Sequence, residues 1–571
     1  MYTASTALIE ALVEAGVEYI FANFGSDHPA LLEAIAEARA TGRRIPAIIT
    51  CPNEMVGMSA AHGHAQVSGR PQAVVVHVEC GTQALAGAVH NAARGRVPMF
   101  VFAGTSPFTQ DGEMRGSRNE FIQWIQDVPD QRGIVRQYMK YDNELRTGRN
   151  LKQMVHRSLQ FANSDPKGPV YLVGAREVME EELETAVAID VSEWPPVAPS
   201  ALDEASVRRI LDAFEAAERP LIVTSYVGRK PDAVPELVLF AETFGAGVLE
   251  SVPSAMNFPH DHPLYLGNQW NEPRRNAALA AADCILVIDS DVPWIPTVNR
   301  PDTRAAIFHI DVDPLKDRMP LFYIGAEVVL RADGRTALAQ LNAAAAARVI
   351  DAERTSARKA HHSQASEARR RLLRAQVDAA GGAITPELLV ASVRRHIDAD
   401  TIVLNEGITN YPVVFDHLAM TRPGSIFASG GGSLGWNGGA AIGAKLAAPD
   451  KTVVAITGDG SYMFSIPSTV HWMAGKYRTP FLTVVLNNRG WKAPRFSALA
   501  VHPHGYASKA NDLDVAFDPP PDYSAIAAAA GGAWARKVDR VADLDAAVAE
   551  AFRVVREDER AAVLDVWLPH V

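Results

Sequence analysis

Late in this 571-residue chain, Gly458-Asp459-Gly460 is followed after 26 residues by Asn487-Asn488. The tripeptide closes a β-branched run, Val453–Thr457, and opens a helical pattern, Ser461–Gly475. The asparagines close the next apolar run, Phe481–Leu486. In an open α/β sheet ligands sit beyond the carboxyl ends of the strands, and this spacing puts both groups at one such edge. The residue types suit a diphosphate held through a divalent cation. Gly458 and Gly460 let the backbone approach phosphates closely, and the following helix start offers free N–H groups to anions. Asp459 supplies a hard anionic oxygen and Asn488 a neutral carbonyl oxygen. Mg²⁺ takes such oxygens in octahedral geometry, completed by phosphate and water. Glycine-aspartate-glycine alone is a common turn; its weight here comes from the order strand, motif, helix, strand, asparagine.

Elements that could position these groups recur along the whole chain. Strands are expected at Ile45–Thr50, Ala73–Val78, Met99–Ala103 and Val170–Val173, with helical stretches at Glu54–Val67 and Thr82–Arg94 between them. Further strands are expected at Leu221–Thr224, Cys284–Asp289 and Ala306–Asp311, then at Thr401–Leu404 and Val563–Val566. Continuous apolar strands alternating with helices indicate parallel sheets covered on both faces. Prolines 195, 196 and 199 mark a linker. The fold expected is α/β, with three open parallel-sheet domains at 1–185, 198–345 and 375–571. The charged stretch from Asp351 to Arg374 reads as a solvated helix or linker.

Hydrophobic residues make up 48% and charged residues 21% of the chain, an ordinary globular balance. A net charge of −11 argues against nucleic acid or an anionic membrane as the main partner. No uninterrupted apolar run of membrane-spanning length and no signal peptide are read. Cys51, Cys80 and Cys284 are far apart and lack metal-ligand spacing, as expected of reduced thiols in a cytoplasmic protein.

The segment Gly458-Asp459-Gly460-Ser461 through Leu486-Asn487-Asn488 resembles the cofactor signature of the thiamine-diphosphate enzymes, a family that includes acetolactate synthase, benzoylformate decarboxylase and oxalyl-CoA decarboxylase. The resemblance implies pyrimidine-binding, central and diphosphate-binding domains in that order. It implies that Asp459, Asn488 and the Gly490 carbonyl bind Mg²⁺ and that Ser461 helps to hold the diphosphate. Cys51-Pro52-Asn53-Glu54 stands where relatives carry a glutamate against the aminopyrimidine ring. Glu54 is thereby assigned to cofactor activation by proton transfer. In Gly431-Gly432-Ser433-Leu434-Gly435-Trp436, the match makes Leu434 the apolar prop of the bent cofactor and gives Gly432 a carbonyl contact with its amino group.

Substrate-side residues follow from the same resemblance. Ser26 lies where benzoylformate decarboxylase has a substrate-contacting serine, and His77 where it has a catalytic histidine. His28 and His77 are candidate proton shuttles, since imidazole titrates near neutrality. Asn405-Glu406-Gly407 resembles a turn of the decarboxylases, which Glu406 is expected to order. After Asn488 a long polar segment reads as a lid, with Trp491 and Lys492 facing substrate. Trp491-Lys492-Ala493-Pro494 and Phe121-Ile122-Gln123 depart from acetolactate synthase patterns. Asp289-Ser290-Asp291 replaces an arginine-containing stretch of flavin-binding relatives, so FAD is not expected. These features imply cleavage or formation of a carbon–carbon bond next to a carbonyl, by decarboxylation or carboligation of a 2-oxo acid. A 2-hydroxyacyl-CoA lyase or oxalyl-CoA-decarboxylase-like activity is the alternative, and an inactive regulatory paralogue is the reading of another class. The resemblance also implies a homodimer or homotetramer whose active sites lie between subunits.

Overall fold

The computed structural model describes residues 2–570 apart from 187, 273, 323, 380, 511 and 512. Residues 1 and 571, the outer limits of the first and third expected domains, lie outside the described residues. Three sheets of six strands form the architecture, and every strand pairing within them is parallel.

The first sheet contains β1 (Tyr19–Ala22), β2 (Ala47–Thr50), β3 (Ala73–Val76), β4 (Met99–Thr105), β5 (Tyr141–Leu145) and β6 (Pro169–Ala175), in the order β2-β1-β3-β4-β6-β5. The central sheet contains β7 (Pro220–Thr224), β8 (Gly247–Ser251), β9 (Tyr265–Gln269), β10 (Cys284–Ile288), β11 (Ala306–Asp311) and β12 (Val328–Arg331), in the order β12-β11-β10-β7-β8-β9. The third contains β13 (Thr401–Glu406), β14 (Ile426–Phe427), β15 (Thr452–Gly458), β16 (Leu482–Asn487), β17 (Trp534–Val538) and β18 (Ala562–Trp567), in the order β14-β13-β15-β16-β18-β17. Counted from their own first strands, the first and third sheets are therefore wound identically. Middle strands such as β3, β7, β10 and β16 are buried along their whole length, which explains why valine, isoleucine and leucine dominate them without polar alternation.

The first and third units share one apolar core, which runs from Phe21 and Val56 through Trp436 and Ala440 to Val453. Its centre is the crossing of the helices Glu54–Ser68 and Trp436–Ala447. A side chain on Gly443 would overlap the Ala60 carbonyl, and one on Gly63 would overlap Ala440. Small residues at the crossing let the two backbones touch. This fixes the loop before Trp436 against the first unit, where Asn91 donates to the Ser433 carbonyl at 2.8 Å and accepts from its N–H at 3.0 Å.

Several elements differ from their sequence-based outlines. The strand expected at Ala73–Val78 stops at Val76, because His77 caps a helix over Val78–Ala84. The helix expected at Ser461–Gly475 is two helices, Asp459–Phe464 and Pro467–Tyr477. Ile466 between them has φ 56°, and the residue before a proline disfavours the helical region. The stretch read as a solvated helix or linker is one long helix, Ala352–Asp378, mostly exposed as that reading has it, but its Arg358 is buried. Its guanidinium donates to the carbonyls of Phe214 (3.0 Å), Glu215 (3.0 Å), Phe244 (2.9 Å) and Ala217, so it caps the ends of two central-unit helices. The segment after Asn488, read as an irregular lid, contains a helix, Lys492–Val501. No described helix is long and apolar enough to cross a membrane.

Candidate active site

The carboxyl edge of the third sheet opens into a cavity of about 330 Å³. Gly458 of β15 pairs in register with Leu486 of β16, so the two strand ends deliver Asp459 and Asn488 side by side. Gly432, Leu434, Gly458, Asp459, Gly460, Ser461, Asn488, Gly490 and Trp491 all line this cavity. The residues assigned from the sequence to cofactor and metal are thus brought together.

Asp459 is buried, with Oδ1 accepting from the Gly460 N–H at 2.7 Å and Oδ2 from the Gly490 N–H at 3.0 Å. Burial pushes its carboxyl up to about 6, against the pull of those backbone donors. The side-chain oxygen of Asn488 faces Asp459 Oδ2 at 3.2 Å, Oδ1 at 3.3 Å and the Gly490 carbonyl at 3.0 Å. An amide turned the other way would donate to the same oxygens. With oxygen inward, acceptors crowd together with no proton among them, at spacings matching the ~3.0 Å edge of an octahedral shell with bonds near 2.1 Å. The Ser461 hydroxyl is buried without a hydrogen-bond partner among the described residues. A buried hydroxyl in that state has donor capacity to spare for an anionic oxygen. The donor set and the orphaned hydroxyl therefore fit a diphosphate carried on a hard divalent cation. No described group of three or more His, Cys, Asp or Glu side chains is placed to hold a metal; this oxygen cluster draws instead on an amide and a carbonyl.

The apolar wall is held from behind. The Glu406 carboxylate, at the end of β13, accepts from the N–H groups of Gly435 (2.7 Å), Trp436 (3.3 Å) and Asn437 (2.8 Å). It fixes the turn that carries Leu434, and burial pushes its carboxyl up to about 7. Trp491 packs edge-on against Phe517 at 5.1 Å, and its indole lies over Gly460, where a Cβ would stand 2.6 Å from Nε1.

Ser26, His28, Glu54 and His77 do not line this cavity. Glu54 begins the helix Glu54–Ser68 behind the Asn53 cap, half-buried, with no hydrogen-bond partner among the described residues. A Cβ on Gly81 would lie 3.2 Å from its Oε1, so the residues after His77 and the Glu54 carboxylate form one neighbourhood. The His77 ring is 22% exposed, whereas the His28 side chain is only 1% exposed. His28 packs between Phe24 and Phe102, with Nδ1 3.1 Å from the Gly25 nitrogen and 3.0 Å from Asp27 Oδ1. Of the two candidate proton shuttles it is therefore the less accessible, and association with another subunit can only bury it further. Ser26 is half-buried and its hydroxyl has no partner among the described residues. The sequence reading passed over Asp27, although it stands between Ser26 and His28 and contacts both histidines.

At the carboxyl edge of the central sheet, side chains neutralise one another. Arg96 from the first unit pairs with Asp311 (2.8 Å) and Asp291 (3.0 Å), and Lys316 pairs with the same two carboxylates.

Fold and site together define a class: three-unit parallel α/β proteins with an oxygen-lined cavity at the carboxyl edge of the last sheet. The chain belongs to the thiamine pyrophosphate (thiamine diphosphate) enzyme family, whose N-terminal TPP-binding, central and C-terminal TPP-binding domain models match residues 2–134, 207–341 and 407–566. It is 26% identical to benzoylformate decarboxylase of Pseudomonas aeruginosa over 87% of this chain and 88% of that protein. It is 25% identical to the acetolactate synthase large subunit of Parasynechococcus marenigrum over 85% of this chain and 76% of that one. The crystal structure of benzoylformate decarboxylase from Polynucleobacter necessarius shares the fold, with a TM-score of 0.79, 19% identity and coverage of 100% of this chain and 99% of that one.

Proposed function

We propose that this protein uses thiamine diphosphate and Mg²⁺ to cleave or form a carbon–carbon bond next to a carbonyl, acting on a 2-oxo acid by decarboxylation or carboligation. The observation that carries this reading is the convergence of the Asp459, Asn488 and Gly490 oxygens with the unpartnered Ser461 hydroxyl in one cavity. The cofactor, when bound, would supply an electron sink for the electron pair left on the carbonyl carbon when its bond to the neighbouring carbon breaks. Asp459, Asn488 and the Gly490 carbonyl hold the metal, and Ser461 and the Gly458–Gly460 backbone hold the diphosphate. Leu434, fixed through Glu406, sets the cofactor's shape, and Gly432 orients its amino group. Glu54 exchanges a proton with the pyrimidine ring. Trp491 and Ser26 border the substrate.

Because Glu54 and His77 lie away from the cavity of their own chain, we assign them to the cavity of a second copy. Exposed apolar side chains support that assembly: Phe121, Trp124 and Ile125 in the first unit, and Phe464 and Trp491 in the third. The active unit is a homodimer or a pair of them, with each cofactor held between two chains.

A second reading, an acyl-CoA lyase, is favoured by one feature. A cleft of about 340 Å³ between the first and central units is lined by Arg94, Lys140, Lys167 and Arg318, together with Asp291, Asp313 and Asp317. The test is to supply thiamine diphosphate, Mg²⁺ and a panel of 2-oxo acids, with and without aldehyde acceptors, and to identify products by mass spectrometry. A decarboxylated or ligated product supports the first reading. Turnover of acyl-CoA substrates alone replaces it with the second, and cofactor binding without any turnover replaces both with a regulatory paralogue.

A further inference from the structure

We propose that Asp27 and Gln126 are positioning residues that hold His77 as a cation facing the substrate. The identity of that substrate rests on the reading above; the charge on the ring does not.

Asp27 follows β1 and His77 follows β3, and these strands are hydrogen-bonded neighbours. Asp27 Oδ1 lies 2.5 Å from His77 Nδ1 and 3.0 Å from His28 Nδ1, while Oδ2 accepts the Val78 N–H at 3.1 Å. Val78 has φ 31°, a conformation costly for a β-branched residue, and it forms the turn that aims His77. One carboxylate thus holds both the ring and the strained turn beneath it. The surroundings leave it no slack: a side chain on Gly25 would overlap the His77 ring, and one on Gly104 would overlap Asp27. On the other side of the ring, Nε2 lies 3.1 Å from the Gln126 side-chain oxygen. With acceptors at both nitrogens, the ring satisfies both only when doubly protonated.

The electrostatics point the same way. The Asp27 hydrogen bond raises the His77 pKa above its ordinary value, burial opposes it, and Gln126 and the Glu79 charge add to the rise. Although burial disfavours ionised Asp27, the charges and hydrogen bonds of His28 and His77 hold its carboxyl well below the usual range. Among the described residues, the titratable groups acting on His77 are Asp27 from the loop after β1 and Glu79 from the helix Val78–Ala84, with Gln126 the neutral partner and His28 in contact with Asp27. Asp27 is 1% exposed and the His77 ring 22%, so the cation is the part of the pair that a ligand can reach. A fixed imidazolium suits the carboxylate of a 2-oxo acid, or an oxygen gaining negative charge, better than it suits a base.

The test is an NMR titration of histidine Cε1 in the apo-protein, with the His77 signal assigned by its loss in His77→Asn. The midpoint is expected above the ordinary value of about 6.5, to fall by about one unit or more in Asp27→Asn, and to rise in Gln126→Glu. In the active enzyme, the alkaline limb of kcat/KM against pH should move with it, whereas a structural role would lower the rate without moving the limb. A wild-type midpoint at or below 6.5, or a midpoint that neither variant moves, overturns the proposal. Because the titration needs neither cofactor nor substrate, a raised midpoint in a protein that turns over no 2-oxo acid would reject the functional reading and leave the cation in place.

Discussion

The first and third sheets have the same strand order, yet their carboxyl edges are built for opposite ends. Beyond β1 and β3 of the first sheet, Asp27 and His77 meet in a buried contact, and Gly104 of β4 closes on the carboxylate. Beyond β13, β15 and β16, the counterparts of those strands, Glu406 is drawn back into the protein and glycine–aspartate–glycine leaves a cavity of about 330 Å³. One edge carries its own charge pair; the other presents oxygens and an unpartnered hydroxyl. The winding supplies the edge, and the few residues after each strand decide whether it closes on its own charges or opens into a cavity.

Substitutions at each edge can break this comparison. The largest effect is expected from Glu54→Gln, which touches only the first. Turnover should fall on the order of 100- to 10,000-fold, the scale of a lost acid–base group, while calorimetry shows the cofactor still binding. Equal loss of binding would make Glu54 a cofactor anchor instead. Asp459→Ala touches only the third edge and should weaken metal-dependent cofactor binding on the order of 100-fold or more, since even outer partners of a metal ligand are worth 10- to 100-fold. Unchanged affinity by calorimetry would remove Asp459 from the metal site.

A smaller effect separates Glu406 from Asp27, its counterpart by position. The Glu406 carboxyl is raised from 4.5 to about 7, chiefly by burial. The folded protein then binds more protons than the unfolded chain between those values. This contribution to stability is full below about 4.5 and is lost as pH rises through about 7. In Glu406→Gln, denaturant unfolding should show a shallower loss of stability over that window than wild type. An unchanged slope would mean that Glu406 does not titrate there. The smallest effect lies outside both edges. Arg358→Ala leaves four carbonyls without their donor and should destabilise the central unit by about 1–3 kcal/mol in thermal unfolding, with cofactor affinity unchanged. A shift in affinity would show that the long helix reaches the site.

Much of this was legible in the sequence, for physical reasons. Valine- and isoleucine-rich runs such as Val453–Thr457 mark buried parallel strands, and the glycine–aspartate–glycine to asparagine spacing marks the edge where Asp459 and Asn488 meet. Contacts formed between distant segments were not legible. Asp27 and His77 are 50 residues apart and adjacent only because β1 pairs with β3. His28 looked as available as His77 until packing against Phe24 and Phe102 buried it. Arg358 was one arginine in a charged run, and only the converging helix ends show why it is buried.

The central claim is that each cofactor is held by the third unit of one chain and activated by Glu54 of another. Mixing Glu54→Gln with Asp459→Ala protein, after dissociation and reassociation, tests it directly. Each mixed dimer would contain one site with both residues intact, so activity should return to about a quarter of wild type for random pairing. If mixed dimers form, as shown by native mass spectrometry, and activity stays at the level of the separate variants, Glu54 and Asp459 serve the same chain and the account is wrong.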